Sequence, residues 1–160
     1  MVVRLFDAVS RVFTYVSIAI FAALAIPVSY DAVSRSLKSP SIWVFDVSLY
    51  LLIAASFLGN ALALRSGAHF RMIFLFKIFP AWRRFGDRLA YGATALFAAA
   101  TLWLSIAYVR ESWDYDLHSG TILNAPLWIP QLAMPLGALA LLLEACRLLL
   151  TGDYPDVTEG

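Results

Sequence analysis

Four stretches of this chain carry no Asp, Glu, Lys or Arg, and each is long enough to cross a bilayer. They are residues 12–30, 47–64, 89–109 and 117–143. A hydrocarbon core of roughly 30 Å takes about 20 helical residues at a rise of about 1.5 Å each. The first three runs hold 19, 18 and 21 residues. The fourth is longer. Pro126 and Pro130 suit a helix start and place its span at 127–149. Lipid gives backbone groups no hydrogen-bonding partner, so spanning segments form helices or closed barrels. A barrel needs segments of about 10 alternating residues, and the sequence has none. Pro27 and Pro135 lie inside apolar runs. Each predicts a kink or an early helix end. The expected fold is an all-α integral membrane protein: one domain, 1–160, of four transmembrane helices.

Composition narrows the function. Of 160 residues, 61% are hydrophobic and 14% charged, with a mean hydropathy of +0.76. A soluble domain is about 25% charged, so a soluble enzyme, a disordered chain and a nucleic-acid binder are all excluded. Cys146 is the single cysteine, which removes the thiol oxidases that need cysteine pairs. The two histidines, His69 and His118, lie outside the span positions where haem ligands belong. No phosphate loop or metal-ligand cluster exists, so no cofactor is implied and no enzymatic role is expected. The first run also exceeds the 7–15 apolar residues usual in a signal peptide.

Charge placement sets the expected orientation. The N-terminal tail carries Arg4 and Arg11, and the C-terminal part carries Arg147. The connection between spans two and three carries Arg65, Arg71, Lys77, Arg83, Arg84 and Arg88. Together these are nine of the twelve basic residues; Arg35, Lys38 and Arg110 fall on the other side. The positive-inside rule makes the nine-residue side cytoplasmic, with both termini inside. Arg110 shares the last outer loop with Glu111, Asp114 and Asp116. Residues 70–85, FRMIFLFKIFPAWRRF, are too short and too charged to span. Their pattern predicts an amphipathic interfacial helix between spans two and three, either a lipid-anchored connector or a docking arm.

Inside the spans, Ala55, Gly59 and Ala63 recur every four residues and give span two a smooth stripe for close helix approach. Asn60 lies beside the stripe, and interhelical hydrogen bonding is favoured there over a ligand contact. Ala133 and Gly137 make a weaker stripe in span four. Glu144 and Arg147 fall near the cytoplasmic end of that span, where long side chains reach the interface. No ionisable residue sits near the middle of a run, whereas proton relays and voltage sensors need such groups at depth. This chain therefore reads as a membrane scaffold or accessory subunit.

Two stretches carry a family resemblance. The first is YDAVSRSLKSPSIWVFDVSLYLLIAASFLGNALALRSGAHFR at 30–71, and the second is GTILNAPLWIPQLAMPLG at 120–137. Both resemble the small four-helix membrane subunit, DctQ-like, of tripartite ATP-independent periplasmic (TRAP) transporters. The resemblance implies a sodium-driven importer of small organic acids, carboxylates or sugar acids, in a bacterial inner membrane. A large permease subunit would carry the substrate and ion sites, and a periplasmic binding protein would deliver substrate. The small subunit would enlarge the static scaffold and help dock the binding protein at the outer face, where Arg110, Glu111, Asp114 and Asp116 are the candidates.

Residue by residue, Asp46 matches the acidic position after the loop Trp43. Gly59, Arg65, Gly67, His69 and Arg71 match the end of span two, and Pro126, Trp128, Pro135 and Gly137 match the last span. Ile73 departs from the pattern, since the family often has an acidic residue there. Asp46 is expected to cap span two, where the helix dipole favours an anion. Gly67 can supply a turn with positive φ. Arg65, His69 and Arg71 are expected to meet helix-end carbonyls, lipid phosphate or acidic residues of the large subunit. A self-associating structural membrane protein, or an accessory subunit of another complex, is the alternative reading.

Overall fold

The computed structural model describes residues 2–39, 41–65 and 83–152, and side chains from 11–39, 41–64 and 85–152. The elements are α1 (Val2–Ser36), α2 (Val44–Arg65), α3 (Arg83–Asp114), α4 (Trp128–Gln131) and α5 (Ala133–Thr151). Four helical segments are long and apolar enough to cross a membrane: Arg11–Ser36, Val44–Leu64, Phe85–Asp114 and Trp128–Thr151. Each overlaps one charge-free run, and the first and third extend past it to Ser36 and Asp114. Most of the 70–85 segment lies outside the described residues, but its last three positions, 83–85, open α3.

The prolines act differently from each other. α1 runs through Pro27 without ending and stops nine residues later at Ser36. The helix end expected at this proline is therefore absent. Near Pro135 the helix is interrupted at Leu132, between α4 and α5. Pro135 lacks the N–H that would bond the carbonyl of residue 131, and its ring crowds that carbonyl.

Helix ends are closed by left-handed residues. Lys38 has φ 57°; its N–H bonds the Arg35 carbonyl and the Ser39 N–H bonds that of Ser34. This is a Schellman closure. Asp116, φ 48°, repeats it after α3, with Asp116 N–H on Trp113 and Leu117 N–H on Ser112. Gly152, φ 64°, ends α5 with a bond to Leu148. Within the helices, Ser17, Ser56 and Thr94 bond the carbonyls of Phe13, Leu52 and Ala90, four residues back. Hydroxyls are tolerated in lipid because the helix itself supplies their acceptor.

Packing runs α1 on α2, α2 on α5 and α5 on α3, with a smaller contact of α1 on α5. So α2 and α5 form the middle and α1 and α3 the outside. A cluster of Leu64, Tyr91, Ala98, Leu141, Ala145 and Leu148 joins α2, α3 and α5. Leu64 and Leu148 are near the ends of their helices and Tyr91 near the start of α3, so the core is thickest at the end from which the 66–82 connection leaves. Lipid tails are as apolar as Leu, so close packing, rather than escape from water, holds this seam together.

Candidate subunit interface

The tightest approach in the seam is at Gly137 of α5. A Cβ there would lie 2.5 Å from both the backbone carbon and the carbonyl oxygen of Phe57 in α2. Only glycine fits, and a backbone cannot swing aside as a side chain can. At Gly59 a Cβ would come 3.3 Å from Cε2 of Phe21 in α1, a ring that can give. Ala55 is fully buried and Ala63 half-buried. The span-two stripe thus includes a contact with α1, and the span-four glycine, read from sequence as part of a weaker stripe, makes the closer contact.

Asn60 lies on the exposed side of α2 and has no hydrogen-bond partner among the described residues. The described helices of this chain thus offer Asn60 no interhelical bond of the kind the sequence favours. Asp46 occupies the first turn of α2 and is 3% exposed. The Trp43 carbonyl accepts the first helical bond from Val47. The carboxylate makes no cap hydrogen bond among the described residues, so what remains of the capping expectation is its favourable place at the positive end of the dipole. Arg65 is the last residue of α2. Gly67, His69 and Arg71 lie outside the described residues.

Glu144 requires a correction. It was expected to reach the interface, yet it is fully buried on the packed face of α5, seven residues before the helix ends. Its Oε1 accepts from Arg147 Nη2 at 2.6 Å and from Nε at 3.0 Å. The Arg147 side chain is itself only 14% exposed. The signal available in the sequence was a carboxylate and a guanidinium three residues apart, the spacing at which helical side chains meet. Such a pair cancels its own charge and can turn inward together.

At the opposite end, Trp113 and Trp128 meet edge to face at 4.9 Å between ring centroids. They line an apolar groove of about 350 Å³ with Ile106, Leu132 and Pro135. Tyr30 of α1 and Trp43, just before α2, form a second aromatic contact, with ring centroids 5.6 Å apart and planes tilted by 32°. Pro126 makes an antiparallel bridge with His118, and the Ser119 hydroxyl accepts from the Ala125 N–H. Arg110 Nε lies 3.5 Å from Asp114, with both side chains more than half exposed. Glu111 and Asp116 are exposed as well. The four charged candidates thus lie together, exposed, at the C-terminal end of α3.

The geometry is that of a four-helix packing with an exposed charged corner, and among the described residues no group of His, Cys, Asp and Glu could hold a metal. The family model for tripartite ATP-independent periplasmic transporters, DctQ component, matches residues 24–152. The chain belongs to this family. No curated protein matches the sequence. As a DctQ component it is a multi-pass membrane part of a TRAP transporter. The match covers the end of α1, the whole of α2, α3, α4 and α5 and both aromatic pairs, leaving residues 1–23 and 153–160 outside it.

Proposed function

We propose that this chain is the non-catalytic small permease subunit of a sodium-driven TRAP importer of small organic acids. It pairs with a large permease subunit that carries the substrate and the ions. A periplasmic binding protein delivers substrate to the complex and touches the corner formed by Arg110, Glu111, Asp114 and Asp116. The chain forms one four-helix domain in a bacterial inner membrane. Both termini are cytoplasmic, and the 70–85 segment lies in the headgroup layer. The family match over 24–152 carries this reading. The nine-to-three partition of basic residues supports the orientation. The scaffold role is supported by Glu144, a fully buried carboxylate closed by its own arginine, where a coupling pathway needs an accessible ionisable group.

Co-expression with the neighbouring membrane-protein reading frame tests it. Purification in mild detergent should yield a stoichiometric complex with a larger multi-span protein, and reconstituted uptake should require both chains together with a sodium gradient. A chain that purifies only with copies of itself contradicts this assignment and returns the self-associating structural protein.

A further inference from the structure

The exposed residues of α2 fall on one line. Phe45, Leu49, Leu52, Ser56 and Asn60 are the exposed positions of this helix from Val44 to Leu64. Their spacings of four, three, four and four residues put them within about 80° of one another at roughly 100° per residue. The other faces of α2 are occupied by α1 and α5. Most of the line is what lipid tolerates. Ser56 satisfies its hydroxyl on the Leu52 carbonyl at 2.8 Å. Asn60 is the exception.

An amide side chain has two donors and two acceptor lone pairs. Asn60 bonds nothing among the described residues, although its own helix offers carbonyls of the kind that Ser56 uses. It lies four residues inside the end of the apolar Val44–Leu64 span, about 6 Å along the axis. Unlike Lys or Arg, asparagine is too short to carry its polar group that distance to the interface. Lipid tails can neither donate to it nor accept from it, and an unpaired amide in an apolar medium costs several kcal/mol. The occupant of this face must therefore supply hydrogen-bonding groups at membrane depth, which a protein helix can do and an acyl chain cannot.

We propose that the Phe45–Leu49–Leu52–Ser56–Asn60 face of α2 is the docking surface for a transmembrane helix of the large permease subunit. Asn60 hydrogen-bonds a backbone carbonyl or polar side chain of that helix. The small Ser56, one turn away, lets the two backbones approach. The proposal rests on the assignment above, because it takes its partner from it. It assigns the contact to a middle helix rather than to the more widely exposed α3.

The test is photocrosslinking in the co-expressed complex. A benzophenone amino acid placed at Leu52 or at Ser56 should form an adduct with the large subunit. The same probe at Leu96 or Trp103, exposed on α3, provides the comparison. In parallel, N60L should weaken subunit association about threefold, the fold-change of an average interhelical hydrogen bond in a membrane, while N60Q retains the wild-type affinity. Adducts from Leu96 and Trp103 but none from Leu52 and Ser56 overturn the face and leave the transporter assignment standing. Adducts from Leu52 and Ser56 only to lipid, or only to a second copy of this chain, also overturn it. Unchanged association of N60L removes the role given to the amide. Absence of any co-purifying large subunit is a different result, and it removes the assignment on which the proposal rests.

Discussion

The last span, Trp128–Thr151, which contains α5, and the third, Phe85–Asp114 of α3, are close in mean hydropathy, 1.8 against 1.6, yet the chain buries far more of the last span than of the third. Both are rich in small residues. In α5 these face inward: Gly137, Ala138, Ala140 and Ala145 are buried. In α3 Ala98 is the buried alanine, whereas Ala93, Ala99, Ala100 and Ala107 are exposed and a Cβ at Gly92 would meet open space. The difference teaches that apolarity says where a helix sits relative to the bilayer, and that contacts at single residues say where it sits relative to other helices. In α5 those contacts are a backbone approach at Gly137 and the buried Glu144–Arg147 ion pair.

The ion pair gives the largest expected effect. Replacing one partner takes the Glu144–Arg147 contact from the other buried charge, and breaking a buried pair costs up to about 3–5 kcal/mol. Glu144→Leu should therefore abolish recovery of folded protein or lower its thermal midpoint sharply. The double variant Glu144→Leu with Arg147→Leu removes both charges and should recover most of the loss, since replacing a whole buried pair is often near neutral. A double variant as damaged as the single one would mean that Arg147 matters through its other contacts. The comparison of the two helices would then rest on packing alone.

The backbone approach comes next. Gly137→Leu drives a side chain into the Phe57 backbone and should cost about 1–3 kcal/mol or more. Ala100→Leu, on the open face of α3, should change stability by less than about 0.5 kcal/mol. Thermal unfolding of the two variants in the same detergent checks the contrast, and equal losses would break it. Gly59→Ala falls between them. Its new methyl meets only the Phe21 ring edge at 3.3 Å, and a small ring rotation should hold the cost under about 1 kcal/mol.

These contrasts also mark what the residue string disclosed. The spans were legible because a charge is expensive in hydrocarbon, and gaps between charges therefore mark membrane crossings. The stop of α5 was not marked by charge, but Gly152 supplies it through a positive φ. The neighbours of each helix were hidden. A lipid-exposed face and a packed face are both apolar, so helix α2 shows no polar side to orient it. That is why the sequence ranks the Gly137 stripe below that of Gly59 and does not say which neighbour Asn60 meets. Glu144 was misplaced for a related reason. Its distance from the span end points to the interface, whereas the neutralising partner three residues away accompanies it inward.

The smallest effect on stability is expected at the far end of α3, where the comparison turns from packing to function. Arg110 and Asp114 are 81% and 55% exposed and 3.5 Å apart. Surface ion pairs of this kind contribute about 0–1 kcal/mol, so charge reversal at Asp114 should leave the thermal midpoint nearly unchanged. Asp116 holds a left-handed backbone at φ 48°, which asparagine also adopts readily. The informative pair is therefore Asp114→Lys with Asp116→Asn, which changes charge while preserving the Schellman turn. If the binding protein meets this corner, uptake at limiting binding-protein concentration should fall while complex yield stays constant. Raising ionic strength should narrow the gap between wild type and variant, because exposed charges are screened over about 10 Å at 0.1 M salt. Uptake equal to wild type at low ionic strength would remove the corner from the docking surface and leave α3 a helix that meets lipid along most of its length.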